Sequence, residues 1–105
     1  MEMLTLPIKR KWLDMIASGE KGDEYRALTP YYNERFANVP KFLENGELQS
    51  YIRLRAGYRP DSPSLVIQCW IDTGTGRPEW GAEPGKEYFR LHITWRGTEE
   101  GVKAL

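Results

Sequence analysis

Gly19-Glu20-Lys21-Gly22-Asp23-Glu24-Tyr25-Arg26, at positions 19–26, is the stretch on which the prediction of the fold depends. It follows a short strand predicted for Leu4 to Ile8 and a short amphipathic helix predicted for Lys9 to Ser18. Glycine adopts the left-handed conformation at a helix end without steric cost, so we expect Gly19 to end this helix. Two cations and two or three carboxylates then emerge close together. Such a cluster either binds an anion or a polar ring, or its charges only pair with one another.

The rest of the chain predicts an α+β fold, a small β-barrel of about five to six strands with two short helices. The predicted strands alternate apolar and polar residues, which places one face of each in a core. A second helix is predicted after Thr29-Pro30, because threonine caps helices and proline suits the first helical position. The elements predicted after the first helix are strand Asp23 to Leu28, helix Pro30 to Phe36, and strands Tyr51 to Tyr58, Leu65 to Asp72 and Glu87 to Trp95.

The pattern also predicts finer features of these elements. Pro7 cannot donate a ladder hydrogen bond, so the first strand is expected at an edge or a barrel corner. Alternation in the last strand predicts an inward apolar row and an outward row: Phe89, Leu91, Ile93 and Trp95, against Tyr88, Arg90, His92 and Thr94. Outside the strands we expect a long loop at Thr73 to Gly85, a helical turn at Lys41 to Glu44, and a frayed tail after Arg96.

Composition restricts the classes of protein to which the chain can belong. Lysine and arginine together number 15, as do aspartate and glutamate, so the net charge is zero. This balance argues against a strongly basic nucleic-acid coat protein but allows a local basic cleft. No apolar run approaches the roughly 20 residues that span a bilayer, and the start lacks a secretion signal, so we predict one cytoplasmic domain over residues 1–105. Cys69 lies in an apolar strand, which predicts a buried structural thiol, and no motif predicts a metal or a cofactor.

The succession of strand, short helix and G-x-K-x-x-E-x-R resembles the signature of the ASCH domain, a small β-barrel of the PUA-like superfamily. The matching residues are Gly19, Lys21, Glu24 and Arg26. Leu6 to Lys9 and Trp12 to Ile16 also resemble the opening of that family. Trp80-Gly81-Ala82 through Tyr88-Phe89 resembles the later barrel strands of ASCH proteins from phages and their bacterial hosts. The resemblance spans nearly the whole chain. It implies a PUA-like barrel that binds RNA or handles nucleotides, in some members as a hydrolase.

The resemblance also names two catalytic candidates. An amidohydrolase of that family, which acts on an acetylated cytidine, uses a lysine, a threonine and a glutamate. Lys21 matches the lysine, Glu24 stands at the position of the threonine, and the distant glutamate has no match. Lys21 and Glu24 are therefore catalytic only under the enzyme hypothesis. A lysine that nothing perturbs stays protonated at neutral pH and is a poor nucleophile.

The candidates for ligand binding are cations that suit phosphate and an aromatic ring that suits stacking on a base. With the carboxylate between them, they are Lys9, Lys11, Lys21, Glu24, Arg26, Arg53, Arg55 and Trp80. Arg53 or Arg55 would share a cleft with Arg26 if the second and third strands are neighbours. Glu24 would pair with Arg26, accept from a base amino group, or act as a general base. The alternative for the cations is a charged outer sheet face, and Trp12 is expected in the core.

Three functions stay open at this point. The preferred hypothesis is an RNA- or nucleotide-binding module with a charged cleft around the motif. The second is a small hydrolase acting on a modified nucleoside of the N4-acylcytidine type, or a ribonuclease. The third is a protein-interaction accessory module, marked by an exposed apolar patch around Trp80 and Tyr31.

Overall fold

The computed structural model describes residues 3–37, 39 and 50–104, with side chains as far as Gly101. The described elements in chain order are β1 (Leu4–Pro7), α1 (Arg10–Ala17), β2 (Asp23–Ala27), α2 (Pro30–Arg35), β3 (Ser50–Arg55), β4 (Ser64–Thr75), a 3-10 helix (Pro78–Trp80), β5 (Glu87–Gly97) and α3 (Glu99–Ala104). The predicted α+β class and number of strands are confirmed. The helical turn predicted at Lys41 to Glu44 lies outside the described residues.

The five strands form one sheet in the order β1-β3-β4-β5-β2, which curls into half of a barrel. β1 runs parallel to β3, with partners 48 positions apart in the chain, and the other pairs are antiparallel. β4 is central, as its apolar run predicted, and Pro7 lies in an edge strand, where its missing N–H breaks no ladder bond. The curl brings the two edge strands, β1 and β2, towards each other across an open seam. Arg26 bridges this seam by donating to the carbonyl oxygen of Pro7 at 2.6 Å.

The core fills the concave side of the half-barrel. Alternate residues of β3, β4 and β5 face it, as the strand pattern predicted, and α1 packs across it with its apolar stripe. The buried cluster comprises Leu6, Leu13, Ile16, Phe36, Ile52, Leu54, Ile67, Cys69, Ile71, Phe89 and Leu91. Each such leucine or isoleucine contributes about 1.5–3 kcal/mol by burial. Thr29 caps α2 as predicted, its hydroxyl accepting from the backbone N–H of Tyr32 at 3.3 Å.

A bulge in β5 corrects the predicted orientation of Trp95. Cys69 pairs with Ile93 whereas Gln68 pairs with Trp95, so Thr94 is an extra residue between the two pairs. Because paired residues share one side of a sheet, Trp95 lies with Gln68 on the outer face and not inward with Ile93. Its ring packs edge-on against a tyrosine of β3, with 6.1 Å between ring centroids.

Two further expectations are wrong and a third holds only in part, each for a tertiary reason. β4 continues to Thr75 because β5 pairs with it to that point, so the predicted loop is shorter. Tyr88 lies on the outer side of β5 with Arg90, as predicted, but it is buried there, because the loop after β4 folds over it and the backbone N–H of Glu83 donates to its hydroxyl at 2.9 Å. The tail forms α3 instead of fraying, and Glu99 of this helix forms an ion pair with Arg53 of β3.

Candidate functional site

The turn between α1 and β2 carries the charged motif into the interior of the half-barrel. Gly19 follows the helix with a φ of 86°, the conformation that glycine adopts without steric cost. The backbone N–H of Lys21 then donates to the carbonyl oxygen of Met15 at 3.0 Å, which folds the chain back against the helix. The side chain of Lys21 therefore enters the protein and not the solvent.

Lys21 is completely buried, which is rare for a lysine and requires partners. Its Nζ donates to the carbonyl oxygen of Trp80 at 2.8 Å and lies 3.2 Å from Oε1 of Glu24. The ring centroids of Trp12 and Tyr25 lie 5.3 and 4.9 Å from Nζ, within the range of cation–π attraction. Lys21 thus links α1, β2 and the 3-10 helix through its contacts with Trp12, Glu24 and Trp80.

Glu24 and Arg26 share one side of β2 and complete the buried charge cluster, which consists of Lys21, Glu24 and Arg26. Oε2 of Glu24 accepts from Nη2 of Arg26 at 2.7 Å, so the predicted ion pair is confirmed and one carboxylate serves two cations. Arg26 also donates to the carbonyl oxygen of Pro7, and from Nη1 to the hydroxyl of Tyr32 at 3.1 Å. Only 5% of Glu24 and 9% of Arg26 are exposed. These partners hold the guanidinium in one place across the seam.

The pKa shifts of the two cations differ in direction. Burial lowers the pKa of Lys21 below its ordinary 10.5, although the charges of Glu24 and Asp23 oppose this shift. Burial also acts to lower the pKa of Arg26, but Glu24 and Tyr32 outweigh it, so the pKa is raised. With two cations and one carboxylate, the buried charge cluster keeps a surplus of one positive charge.

Beside this cluster, at the seam, lies an open hollow of about 370 Å³, hereafter the aromatic hollow. Its lining combines aromatic rings, the polar ends of two buried charges and one exposed cation. These residues are Trp12, Tyr25, Tyr32, Trp80 and Tyr88, then Glu24 and Arg26, then Lys9. The arrangement gives a concave surface that offers both stacking area and fixed hydrogen-bonding groups.

One glycine allows the ring of Trp12 to lie close to the backbone. A Cβ built on Gly81, which has a φ of 101°, would lie 3.1 Å from the ring of Trp12. The ring of Trp80 would lie 3.6 Å from a Cβ built on Gly22, which is an ordinary contact distance and does not require glycine. The guanidinium of Arg77 lies over the indole of Trp80, 4.6 Å from the ring centroid. Both rings are therefore packed against neighbours and present fixed surfaces.

Most of the predicted site residues come together here. Lys9, Glu24, Arg26 and Trp80 line the aromatic hollow, and Lys21 lies directly behind them without contributing to the lining. Lys11 is exposed on α1 and is not part of the lining, although its Nζ lies 4.6 Å from the ring of the neighbouring Trp12.

Arg53 and Arg55 do not line the aromatic hollow, so the expectation that they share a cleft with Arg26 is wrong. The physical reason is the strand order, because β3 pairs with β1 and β4 whereas β2 pairs with β5. Arg53 instead donates to the hydroxyl of Thr5 at 2.8 Å and pairs with Glu99. Both arginines lie on the outer side of β3, opposite the buried residues of that strand.

Four aromatic residues of the hollow were not among the selected binding candidates, although Tyr32 and Tyr88 are rings that could stack on a base. Trp12 was expected in the core because it stands one helical turn from Ile16, but it is only half-buried and faces the loop after β4. No sequence signal identifies Tyr32, since the contact of its hydroxyl with Arg26 depends on how α2 packs beside β2. The same holds for Tyr25 and Tyr88, whose rings meet across two strands.

A second polar cluster lies on the outer sheet face. Nδ1 of His92 lies 2.9 Å from Asp23 and its Nε2 lies 2.7 Å from Asp72, while Trp70 stacks on the imidazole at 4.1 Å. Arg90 donates to both carboxylate oxygens of Asp72, at 2.8 and 2.7 Å. Burial acts to raise the pKa of Asp72, but hydrogen bonds from Arg90 and His92 outweigh it, so the pKa is lowered. This row ties β2 to β4 across β5 and holds the edge strand that carries the buried charges.

Other kinds of site find less support in the described residues. They contain no group of three or more His, Cys, Asp or Glu side chains placed to hold a metal ion. None of their helices is long and apolar enough to cross a membrane. Cys69 is buried as predicted, and burial raises the pKa of its thiol to about 12, which disfavours the reactive thiolate.

Comparison of the chain with protein-family models, with curated proteins and with solved structures gave no match. The resemblance to the ASCH family therefore stays a prediction from the motif residues. A function for the chain has to be inferred from the geometry of the aromatic hollow.

Proposed function

We propose that the chain is a PUA-like barrel of the ASCH type that binds a nucleotide, or one nucleotide of a single-stranded RNA, in the aromatic hollow. The observation that carries this proposal is the meeting of two fixed tryptophan rings with a buried, net-positive charge cluster in one concave site. The base and the phosphate of a nucleotide each have matching groups in this hollow.

The base is matched by the aromatic lining. A volume of about 370 Å³ lies at the lower end of the roughly 300–1,000 Å³ that small-molecule sites occupy. Trp12 and Trp80 are half-buried, so each keeps part of its ring surface available to a ligand. Stacking of a base on such a ring contributes about 1–3 kcal/mol and accepts any base.

The polar edge of the base is matched by Glu24 and Arg26. Among the described residues, Glu24, Pro7 and Tyr32 use three of the five guanidinium N–H groups of Arg26, which leaves two for a ligand. The carboxylate of Glu24 retains acceptor capacity beyond its two cations. A donor and an acceptor held in fixed positions suit the hydrogen-bonding edge of an unstacked base.

The phosphate is matched by the charge around the start of α1. Lys9 is exposed, lines the hollow and occupies the N-cap position of this helix. The first turn of α1 contains no acidic residue, so the positive end of the helix dipole is not compensated there. The surplus positive charge of the buried cluster adds to this field.

Nucleoside 5′-monophosphates are suitable probes, followed by tryptophan fluorescence and by calorimetry at several salt concentrations. We expect binding that weakens as the salt concentration rises, because salt screens the attraction between the phosphate and the cations of the hollow. Trp80→Ala should weaken binding about 5- to 150-fold through the lost stacking. Trp95→Ala is the matched control, because Trp95 lies on the outer sheet face and is not part of the lining of the hollow. Equal affinities of the two variants and the wild type, or affinity indifferent to salt, would refute the proposal.

One observation favours hydrolysis as a second candidate function. Burial lowers the pKa of Lys21, which makes the neutral, nucleophilic amine more available, and Glu24 lies beside it. Against this, Lys21 has no exposed surface and its Nζ is held by two partners, so a substrate would have to displace it. Release of acetate from N4-acetylcytidine, abolished in Lys21→Met, would establish the hydrolase. Binding of N4-acetylcytidine without release of acetate would exclude the hydrolase and support the binding module.

A further inference from the structure

Tyr58 is the most exposed of the large hydrophobic side chains in the described part of the chain, at 95%. It lies in the connection between β3 and β4, which hydrogen bonds keep in shape. The backbone N–H of Ala56 donates to the carbonyl oxygen of Pro63 at 2.8 Å, and that of Ser62 donates to Arg59 at 3.0 Å. A constrained turn therefore presents a tyrosine ring to solvent, where it stabilises nothing in the described fold.

A second hollow connects Tyr58 to the aromatic hollow. It measures about 320 Å³ and is lined by Gly57 and Tyr58 together with Pro7, Ile8 and Lys9. The last three residues also line the aromatic hollow, so the two hollows adjoin along the end of β1. Lys9 therefore stands between two aromatic surfaces. Proteins that bind single-stranded nucleic acid combine stacking platforms with cations along the backbone in this manner.

We propose that Tyr58 is the stacking platform of a second subsite, and that the ligand is a single-stranded RNA of at least two nucleotides. This inference rests on the proposed function. One base occupies the aromatic hollow, the neighbouring base stacks on Tyr58, and Lys9 contacts the phosphate that joins them. A single nucleotide fills the first subsite and leaves Tyr58 without a partner.

The test compares two probes that differ only in the second nucleoside. The first is a nucleoside 3′,5′-bisphosphate whose 3′-phosphate is a methyl ester, and the second is the dinucleotide with the same first base and a 5′-phosphate, so that both carry the same charge. We expect the wild type to bind the dinucleotide about 5- to 150-fold more tightly than the bisphosphate, because of the added stacking. Tyr58→Ala should abolish this difference while keeping the affinity for the bisphosphate. Tyr58→Phe, which retains the ring, should keep the difference.

The possible results separate this inference from the proposed function. Equal binding of the two probes by the wild type, or a dinucleotide gain that persists in Tyr58→Ala, overturns the second subsite and leaves nucleotide binding in the aromatic hollow intact. Failure of both probes to bind overturns the proposed function and the second subsite together. Because the side chain of Tyr58 is almost fully exposed, its replacement leaves the core unchanged.

Discussion

Replacement of Glu24 by glutamine tests whether one carboxylate stabilises the whole buried charge cluster. The amide keeps the shape of the side chain but removes the shared counter-ion of Lys21 and Arg26. At an effective dielectric constant of about 20, charges at 3.2 and 2.7 Å attract each other by roughly 5–6 kcal/mol. Much of that attraction offsets the desolvation of the charges, and removal of one partner from a buried pair costs about 3–5 kcal/mol. We expect Glu24→Gln to lower the free energy of unfolding by this amount.

The pH dependence of this variant follows from the direction of the Lys21 shift. Burial lowers the pKa of Lys21 and Glu24 opposes the shift, so the loss of Glu24 lowers the pKa further. Between that lowered pKa and the ordinary value of 10.5, the unfolded chain binds more protons than the folded one. Stability in this window therefore rises with pH. Glu24→Gln should regain part of its lost stability as the pH rises towards 10.5, more steeply than the wild type.

Urea unfolding followed by tryptophan fluorescence at a series of pH values measures both effects. Glu99→Gln is the control, since the Glu99 side chain is 42% exposed and its pair with Arg53 should contribute about 0–1 kcal/mol. The reasoning fails if Glu24→Gln costs no more than this control. It fails equally if the stability of the variant follows the same pH profile as that of the wild type.

Three further predictions concern the packing and the titration of single residues. Gly81→Ala should lower the free energy of unfolding by about 1–3 kcal/mol and weaken nucleotide binding by displacing Trp12. Gly85→Ala is the control, because Gly85 also has a positive φ but has open space around it, so this variant should lose stability without a change in binding. The lowered pKa of Asp72 means that its stabilisation is present above about pH 4 and is lost as the pH falls through its folded value; acid titration of Asp72→Asn should show a shallower loss than that of the wild type. Cys69, with a thiol pKa of about 12, should resist alkylation at pH 8 in the folded protein and react in urea, and rapid labelling without denaturant would contradict its burial.

Local features of the fold could be predicted from the sequence because they depend on neighbouring residues. The cap of α2 by Thr29 and the end of α1 at Gly19 each follow from the preference of one residue. The edge position of β1 follows from Pro7, and the alternation of β3 follows from the pleat. The ion pair of Glu24 with Arg26 follows from their spacing of two on a strand.

Features that depend on distant parts of the chain could not be predicted. The parallel pairing of β1 with β3 separates Arg53 from Arg26. No residue of either strand indicates that pairing in the sequence. One extra residue, Thr94, turns Trp95 to the other face of the sheet, although the alternation of the strand continues unbroken in the sequence. The place of Trp12 beside Gly81 likewise arises only when the loop after β4 is folded.

The parallel pairing of β1 with β3 also has a consequence for the order of folding. β3, β4 and β5 pair with their neighbours in the chain, whereas β1 has partners 48 positions away and β2 has partners in β5 up to 69 positions away. Closing longer loops costs more chain entropy and slows folding. We therefore expect the three-stranded meander to form early and the two edge strands to dock late. The aromatic hollow would then be the last part of the molecule to assemble, and a ligand bound there would act mainly by slowing the first step of unfolding.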